Sequence, residues 1–173
     1  MIGKSVGKSQ ARKRAQDVFQ AYKARGGDIP IDIEAILKRH GIHLVMREAS
    51  TDLAGMLLVD EDQAIIAVNE GHPEVRRRFT LAHELGHFLL HRQPGSAIFH
   101  RDEKSSEGTD RTEIDANAFA AELLMPAEEV RHYAVQLHID LLADEELYKL
   151  SKKFKVSPQA MSIRLQQLKL IQL

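Results

Sequence analysis

Cysteine is absent from this chain of 173 residues. Its absence excludes disulfide frameworks, thiolate metal sites and cysteine nucleophiles together. Any metal site in the protein must therefore be built from histidine, aspartate and glutamate side chains.

Long apolar runs and a strong net charge are also missing. No apolar run approaches the roughly 20 residues that a membrane-spanning helix needs. The basic N-terminus, residues 1–16, lacks the apolar segment of a secretory signal. Because the formal net charge is only −1, the charge balance does not require nucleic acid or an anionic membrane as a partner. We therefore expect a cytoplasmic protein that does not bind membranes.

The pattern that is present is typical of an α+β fold. Its 43% hydrophobic content suffices for one core, and the apolar spacing predicts helices around one small, mostly antiparallel sheet. Asp144 and Ser157 are the predicted N-caps of the last two helices. The predicted helices are 10–25, 30–40, 73–91, 112–125, one from 126 and two after 144, and the predicted strands are 42–48, 55–59, 64–68 and, inside the polar loop 92–112, 97–100.

Turn residues and changes in composition divide the chain into three parts. Residues 1–27 are expected to form an N-terminal helical extension that ends at a glycine pair. Residues 28–139 are expected to form the core domain. Residues 140–173 are expected to form a helical segment of helix-turn-helix shape that packs on this core.

The stretch HELGH at 83–87 places two histidines one helical turn apart. His83 and His87 share one helix face with Cβ atoms about 5–6 Å apart, so their ring nitrogens can converge on one cation. Glu84 lies beside that face, where its carboxylate can take a proton from a water at the metal. This is the His-Glu-x-x-His arrangement of metal-dependent peptidases. Gly86 costs the helix about 1 kcal/mol relative to alanine and predicts a close approach of its backbone to the sheet or to substrate.

A zinc ion that is held by two histidines needs one more protein ligand. The predicted helix at 112–125 offers Glu113 in its first turn, on a face of small apolar residues where a solvated charge is not expected. Asn117 follows at i+4 and is expected to hydrogen-bond the free ring nitrogen of a ligating histidine. Asp115 is the alternative ligand, but it lies on a different face from Glu113.

Four further side chains are candidates for supporting roles in the site. His91 continues the histidine stripe but lies about 6 Å further along the helix axis than His87. We expect it to support the site structurally or by hydrogen bonding, and not to bind the metal. His100, His132 and Tyr133 are the candidates for stabilising an oxyanion, although an ordinary surface role is favoured for each.

The sequence resembles the ImmA/IrrE family of metallopeptidases. The resemblance rests on RRRFTLAHELGHFLLH at 76–91 and EIDANAFAAELLMP at 113–126. The segments DIPIDIEAILKRHGIHLV, IIAVN and FKVSPQAMSIRLQQLKLI fit the family as well. The similarity spans nearly the whole chain and is weakest before residue 28 and across 92–112.

This resemblance implies a zincin-like catalytic core with zinc as the cofactor, while manganese or iron would accept the same ligands. It also implies an endopeptidase whose partner is a protein substrate, a helix-turn-helix repressor of the XRE type encoded nearby. Cleavage of that repressor would relieve repression. On physical grounds, an edge strand of the hairpin at 55–68 is expected to bind the substrate as an added strand, and the 92–112 loop is expected to cover the site.

The sequence is also compatible with two other function classes. The segment 140–173 has the shape of a DNA-binding element, with Gln159, Ser162 and Gln166 as the groove-facing residues. Direct DNA binding is not expected, because the segment lacks a dense basic stripe and has Lys155 where the turn usually has glycine. The third class is a scaffold that binds metal and a repressor without cutting it.

Overall fold

The computed structural model describes residues 4–60, 63–92, 111–136 and 143–171. The α+β class that the sequence predicts is confirmed. None of the described helices is both long and apolar enough to cross a lipid bilayer. The described ranges contain α1 (Lys8–Lys23), α2 (Ile33–Arg39), β1 (Ile42–Arg47), β2 (Gly55–Val59), β3 (Ala64–Asn69), α3 (Glu74–His91), α4 (Arg111–Leu124), α5 (Ala127–Gln136), α6 (Asp144–Phe154) and α7 (Pro158–Gln167).

Side-chain caps define the beginnings of two helices. The Asp32 carboxylate accepts a hydrogen bond from the Ala35 amide at 3.0 Å and begins α2. Ser157 caps α7 in the predicted way, with its hydroxyl accepting from the Ala160 amide at 3.1 Å. The predicted cap of α6 is wrong by one residue, because Asp144 is the first helical residue and Ala143 occupies the cap position. As a first-turn acid, Asp144 instead interacts favourably with the helix dipole.

The sheet is mixed, with the order β1-β3-β2. β2 and β3 form the predicted antiparallel hairpin, in which Leu57 pairs with Ile66. β1 pairs with β3 in parallel, in a register that places Leu44 opposite Ile66. The sheet is therefore half parallel and not mostly antiparallel. The alternation of apolar residues is the same for both strand directions, so it carries no information on this point.

Gly86 allows α3 and α4 to approach closely. A Cβ atom added to Gly86 would lie 3.1 Å from Cδ1 of Phe119 and 3.2 Å from Cα of Ala116, both on α4. The expectation that Gly86 faces the sheet or a substrate is therefore wrong, since its neighbour is a helix. This crossing brings the first turn of α4 beside the histidines of α3.

One hydrophobic cluster joins all the parts of the chain that the structure describes. It includes α1, the sheet, the α3–α4 pair and the two C-terminal helices, so no separate core marks the predicted boundaries near residues 27 and 139. Those boundaries stay a prediction. The buried residues that span the cluster are Ala11, Ala15, Phe19, Ile36, Leu37, Leu57, Ile66, Leu81, Leu85, Phe119, Leu123, Leu150, Phe154, Met161 and Leu165.

A buried ion pair attaches α7 to α4. The Arg164 side chain is 2% exposed, donates from Nε to the Met125 carbonyl at 2.9 Å and pairs with Glu122. Glu122 also accepts from the Gln16 amide of α1 at 3.1 Å. Three helices are thus joined at one buried carboxylate. Burial lowers the pKa of the Arg164 guanidinium, and the charge of Glu122 opposes this shift.

The link between α6 and α7 begins at Lys155, which adopts a left-handed conformation with φ 51° and ψ 51°. Glycine is the usual residue there, but contacts with α3 hold this link. Arg78 donates from Nε to the Lys155 carbonyl at 3.2 Å, and Lys155 Nζ lies 3.1 Å from Glu74 Oε1. Two helices joined by a short link are therefore present where the sequence predicts them, and the link is attached to α3.

The substitution Arg164→Met should lower the free energy of unfolding by about 3–5 kcal/mol, because it leaves the Glu122 carboxylate buried without its cation. Urea denaturation of the two proteins measures this difference. The control is Lys149→Met, which removes exposed ion pairs to Glu145 and Glu146 and should change stability by less than about 1 kcal/mol. Equal effects of the two substitutions would contradict this account of Arg164.

Candidate metal centre

Three predicted ligand side chains meet where α3 crosses α4. The Nε2 atoms of His83 and His87 lie 3.0 Å apart. Glu113, in the first turn of α4, places Oε2 3.2 Å from the His83 Nε2 and Oε1 3.2 Å from the His87 Nε2. The His87 side chain is fully buried, whereas that of His83 is 14% exposed. The cluster is therefore reached from the His83 side.

The geometry of these donor atoms fits a divalent cation. The ligand atoms of His83, His87 and Glu113 all lie within 4.8 Å of one another. Atoms bound to a tetrahedral zinc at about 2.0–2.1 Å are separated by about 3.3 Å, close to the 3.0–3.2 Å between the atoms here. Two imidazoles and a carboxylate are also the ligand set of many catalytic zinc sites, which keep a fourth position open.

The outward nitrogen of each histidine has a protein partner. His83 Nδ1 lies 3.0 Å from Asn117 Oδ1, the contact predicted for Asn117. An amide oxygen only accepts hydrogen bonds, so this contact assigns the His83 proton to Nδ1 and leaves the Nε2 lone pair for a metal. His87 Nδ1 lies 3.2 Å from His91 Nδ1, so His91 contacts a predicted ligand from outside the cluster.

Asp115 faces away from the three clustered side chains. Its Oδ2 accepts hydrogen bonds from the Ser5 hydroxyl at 2.7 Å and from the amides of Val6 and Gly7 at 2.8 and 3.0 Å. The same oxygen lies 3.6 Å from His91 Nε2. The structure therefore places Glu113, and not the alternative Asp115, at the histidine Nε2 atoms.

The carboxylates of Glu113 and Glu84 affect the pKa of the His83 imidazole. Burial lowers the pKa of the His83 imidazole, but Glu113 and Glu84 outweigh burial and raise the pKa above its usual value. Glu84 is itself buried, with 3% exposure. The charge of the Glu84 carboxylate therefore acts on the ring of His83, the preceding residue in the sequence. The two carboxylates therefore favour a positive charge at this position, which a divalent cation would supply.

The other candidate residues lie elsewhere or outside the described residues. His132 is exposed on α5, and the Tyr133 ring packs edge-on against Phe154 with 5.8 Å between centroids. His100, the predicted strand at 97–100 and most of the 92–112 loop lie outside the described residues. Neither the contact of Asp115 with residues 5–7 nor the burial of Arg164 was predicted, because no local pattern in the sequence marks partners so far along the chain.

Two helices that bring a pair of histidines and a glutamate together, on a small mixed sheet, define a metallopeptidase-like domain. A family model described as the IrrE N-terminal-like domain, of a peptidase family, matches residues 37–166. The match covers well over half of the chain, which therefore belongs to this family. The resemblance that the sequence motifs indicate is confirmed.

Two relatives extend the comparison. The chain is 32% identical over 82 residues to the uncharacterized immunity region protein 2 of Bacillus phage phi105, and the alignment covers 47% of this chain and 51% of that protein. A Mycobacterium tuberculosis transcriptional regulator of solved structure superposes with a TM-score of 0.60 at 22% identity, over 90% of this chain and 46% of that one. The second likeness shows the fold alone. This chain spans about half the length of these relatives.

The substitution Asn117→Leu should weaken zinc binding by about 10–100-fold, because the His83 ring loses the acceptor that fixes its proton on Nδ1. Titration of the metal-free protein with zinc against a competing chelator measures the affinity. The control Asn117→Asp keeps an oxygen acceptor and should stay within a few-fold of the wild type. Unchanged affinity in Asn117→Leu would show that this hydrogen bond does not support the metal centre.

Proposed function

We propose that this protein is a zinc-dependent endopeptidase in which His83, His87 and Glu113 hold the metal and Glu84 is the general base. The observation that carries the proposal is the triangle of donor atoms with sides of 3.0, 3.2 and 3.2 Å, beside a buried Glu84. Zinc is the ion that we propose for this ligand set, with manganese and iron as chemically acceptable replacements. The cytoplasmic location stays a prediction.

A divalent cation held by His83, His87 and Glu113 would supply Lewis acidity, which would lower the pKa of a water toward neutrality and polarise a carbonyl. Glu84 accepts the proton of the attacking water on its carboxylate and then donates it to the departing amine. Burial of Glu84 excludes bulk water from this transfer. Asn117 and Glu113 keep the imidazole of His83 in position throughout the reaction.

The substitution Glu84→Gln should lower peptide hydrolysis by about 10²–10⁴-fold, the usual contribution of a general base, while metal content stays unchanged. A peptidase assay and elemental analysis of the same preparation measure the two properties. The control is Glu74→Gln on the same helix, where the 57% exposed side chain pairs only with Lys155 among the described residues. Undiminished cleavage by Glu84→Gln would refute the assignment of Glu84 as the base.

The outer edge of β2 is the proposed binding place for an extended substrate segment. β3 is central and paired on both sides, so β2 is the hairpin strand whose outer edge pairs with no other strand among the described residues. β2 also lies against α3, because a Cβ atom added to Gly55 would come within 2.5 Å of Thr80 Cγ2. Thr80 precedes His83 by about one helical turn. A strand added at this edge would therefore pass beside the metal ligands.

The substrate that we propose is a helix-turn-helix repressor of the XRE type, encoded near this protein, whose cleavage relieves repression. Two observations support a regulatory setting. One relative is named as an immunity region protein of a phage, and the solved structure with the same fold is named as a transcriptional regulator. The catalytic role itself rests on the metal centre and does not depend on the identity of the substrate.

Incubation of the purified protein and zinc with the neighbouring repressor should yield a discrete cut. A chelator should abolish the cut, and added zinc should restore it, because the ligands hold the ion reversibly. Gel electrophoresis with mass analysis of the fragments identifies the bond. An intact repressor in the presence of an active, zinc-loaded enzyme would exclude this substrate, and stable binding without cleavage would favour the scaffold alternative.

Packing of α7 disfavours the DNA-binding alternative. Gln159 and Gln166 are exposed, as a groove-facing pair would be. The single basic residue of α7, however, is Arg164, which is buried and paired with Glu122. It therefore has no free guanidinium to offer to a phosphate, and phosphate contacts dominate affinity for DNA. A mobility-shift titration at physiological salt distinguishes the two functions.

A further inference from the structure

A line of buried polar side chains leads from the metal centre to the N-terminal residues of the chain. It runs from His87 to His91 over 3.2 Å and from His91 to Asp115 over 3.6 Å. It ends at residues 5–7, which contact Asp115 at 2.7–3.0 Å. His87, His91 and Asp115 are each no more than 1% exposed. The role of this line rests on the proposed metal site.

We propose that His91 and Asp115 are positioning residues for the metal ligand His87, and that residues 5–7 complete this arrangement by fixing the Asp115 carboxylate. The Nδ1 atoms of His87 and His91 face each other at hydrogen-bonding distance. When both rings are neutral, one Nδ1 must donate and the other must accept, so each ring constrains the tautomer of the other.

The Asp115 carboxylate decides between the two arrangements. A negative oxygen near His91 Nε2 favours a proton on that nitrogen, which makes His91 Nδ1 the acceptor. His87 must then carry its proton on Nδ1 and present a lone pair at Nε2. That atom is the one that lies 3.2 Å from Glu113. The line of contacts therefore holds His87 in the tautomer that binds a metal.

The N-terminal segment explains why the Asp115 carboxylate stays in place. Three donors converge on its Oδ2, two of them the consecutive amides of Val6 and Gly7. Gly7 has φ +87°, a conformation that side chains disfavour, and it leads directly into α1, which packs on α4. These residues lie outside the 37–166 region that matches the family model. The contribution of residues 5–7 therefore comes from outside the matched region.

The test measures zinc affinity of the full chain by competition with a chelator. The variants Asp115→Asn and His91→Phe should each bind zinc about 10–100-fold more weakly than wild type, the usual effect of removing a partner behind a ligand. Ser5→Ala should cause a smaller loss in the same direction, because one of three donors to Asp115 is removed. If His91→Phe does not fold, the other two variants decide the outcome.

The matched control is Glu122→Gln. Glu122 is also a buried carboxylate of α4, with 3% exposure, and it also bonds to the N-terminal part of the chain, through Gln16. The described partners of Glu122 are Gln16, the Ala127 amide and Arg164, none of which touches His87. This variant should therefore lower the melting temperature without changing zinc affinity by more than about twofold. A loss of affinity in Glu122→Gln as large as that in Asp115→Asn would overturn the proposal, since any loosening of α4 would then suffice.

A second measurement reports the tautomer directly. Nitrogen-15 NMR of the metal-free protein should show the His87 proton on Nδ1 in the wild type and a shift toward Nε2 in His91→Phe and Asp115→Asn. Unchanged tautomer and affinity in these variants, in a wild type that binds zinc, would refute the positioning role alone. A wild type that takes up no zinc would instead refute the proposed function, and the inference would fail with it.

Discussion

The close crossing of α3 and α4 at Gly86 is the constraint on which the candidate metal centre depends. A carboxylate can reach two imidazole nitrogens 3.0 Å apart only if its helix lies almost in contact with theirs. Gly86 and Ala116 provide this approach, since even one methyl group at residue 86 would lie 3.2 Å from the Ala116 Cα. Glu113 and Asn117 occupy the same face of α4 as Ala116, one turn apart. The small residues therefore allow α3 and α4 to lie close together. At that distance Glu113 and Asn117 contact His83.

Helix α4 organises the buried charges of the described structure. Its first half carries Glu113, Asp115 and Asn117 toward the histidines of α3, and its second half carries Glu122 toward Arg164. A buried charge is costly unless it is paired, so each of these contacts orders a second element around α4. The N-terminal residues and α1, the histidine-bearing helix α3 and the C-terminal helix α7 are all attached to α4 in this way. One helix thereby links the stability of the fold to the geometry of the site.

The same arrangement bears on the choice between a peptidase and a DNA-binding regulator. Residues with metal-binding chemistry converge in one cluster, whereas Arg164, the one basic residue of α7, is used for internal packing. The segment resembles a DNA-binding element because two short helices with a tight turn are a general way to cover a core. The guanidinium of Arg164, on the helix that would face a groove, is paired with Glu122. Membership of a peptidase family agrees with this division of roles.

The sequence by itself determined those features that depend on local helix and strand geometry. The i, i+4 spacing aligned His83 with His87, and the alanine-rich face marked Glu113 as an acid with a buried partner, with Asn117 one turn beyond it. Strand and helix boundaries followed within one to three residues from apolar periodicity and capping residues. Each of these inferences needs only residues within about one turn or one strand of each other.

Tertiary structure alone decided the parallel pairing of β1 with β3, the helix that faces Gly86, the burial of Arg164 and the contact of Asp115 with Ser5. These features join residues that lie 20 to 110 positions apart in the chain. The local sequence pattern does not reveal these contacts, because an acid on a helix has the same neighbours in the sequence whether its partner is water, a metal or a distant amide. Only the packing of the elements determines which of these partners an acid such as Asp115 meets.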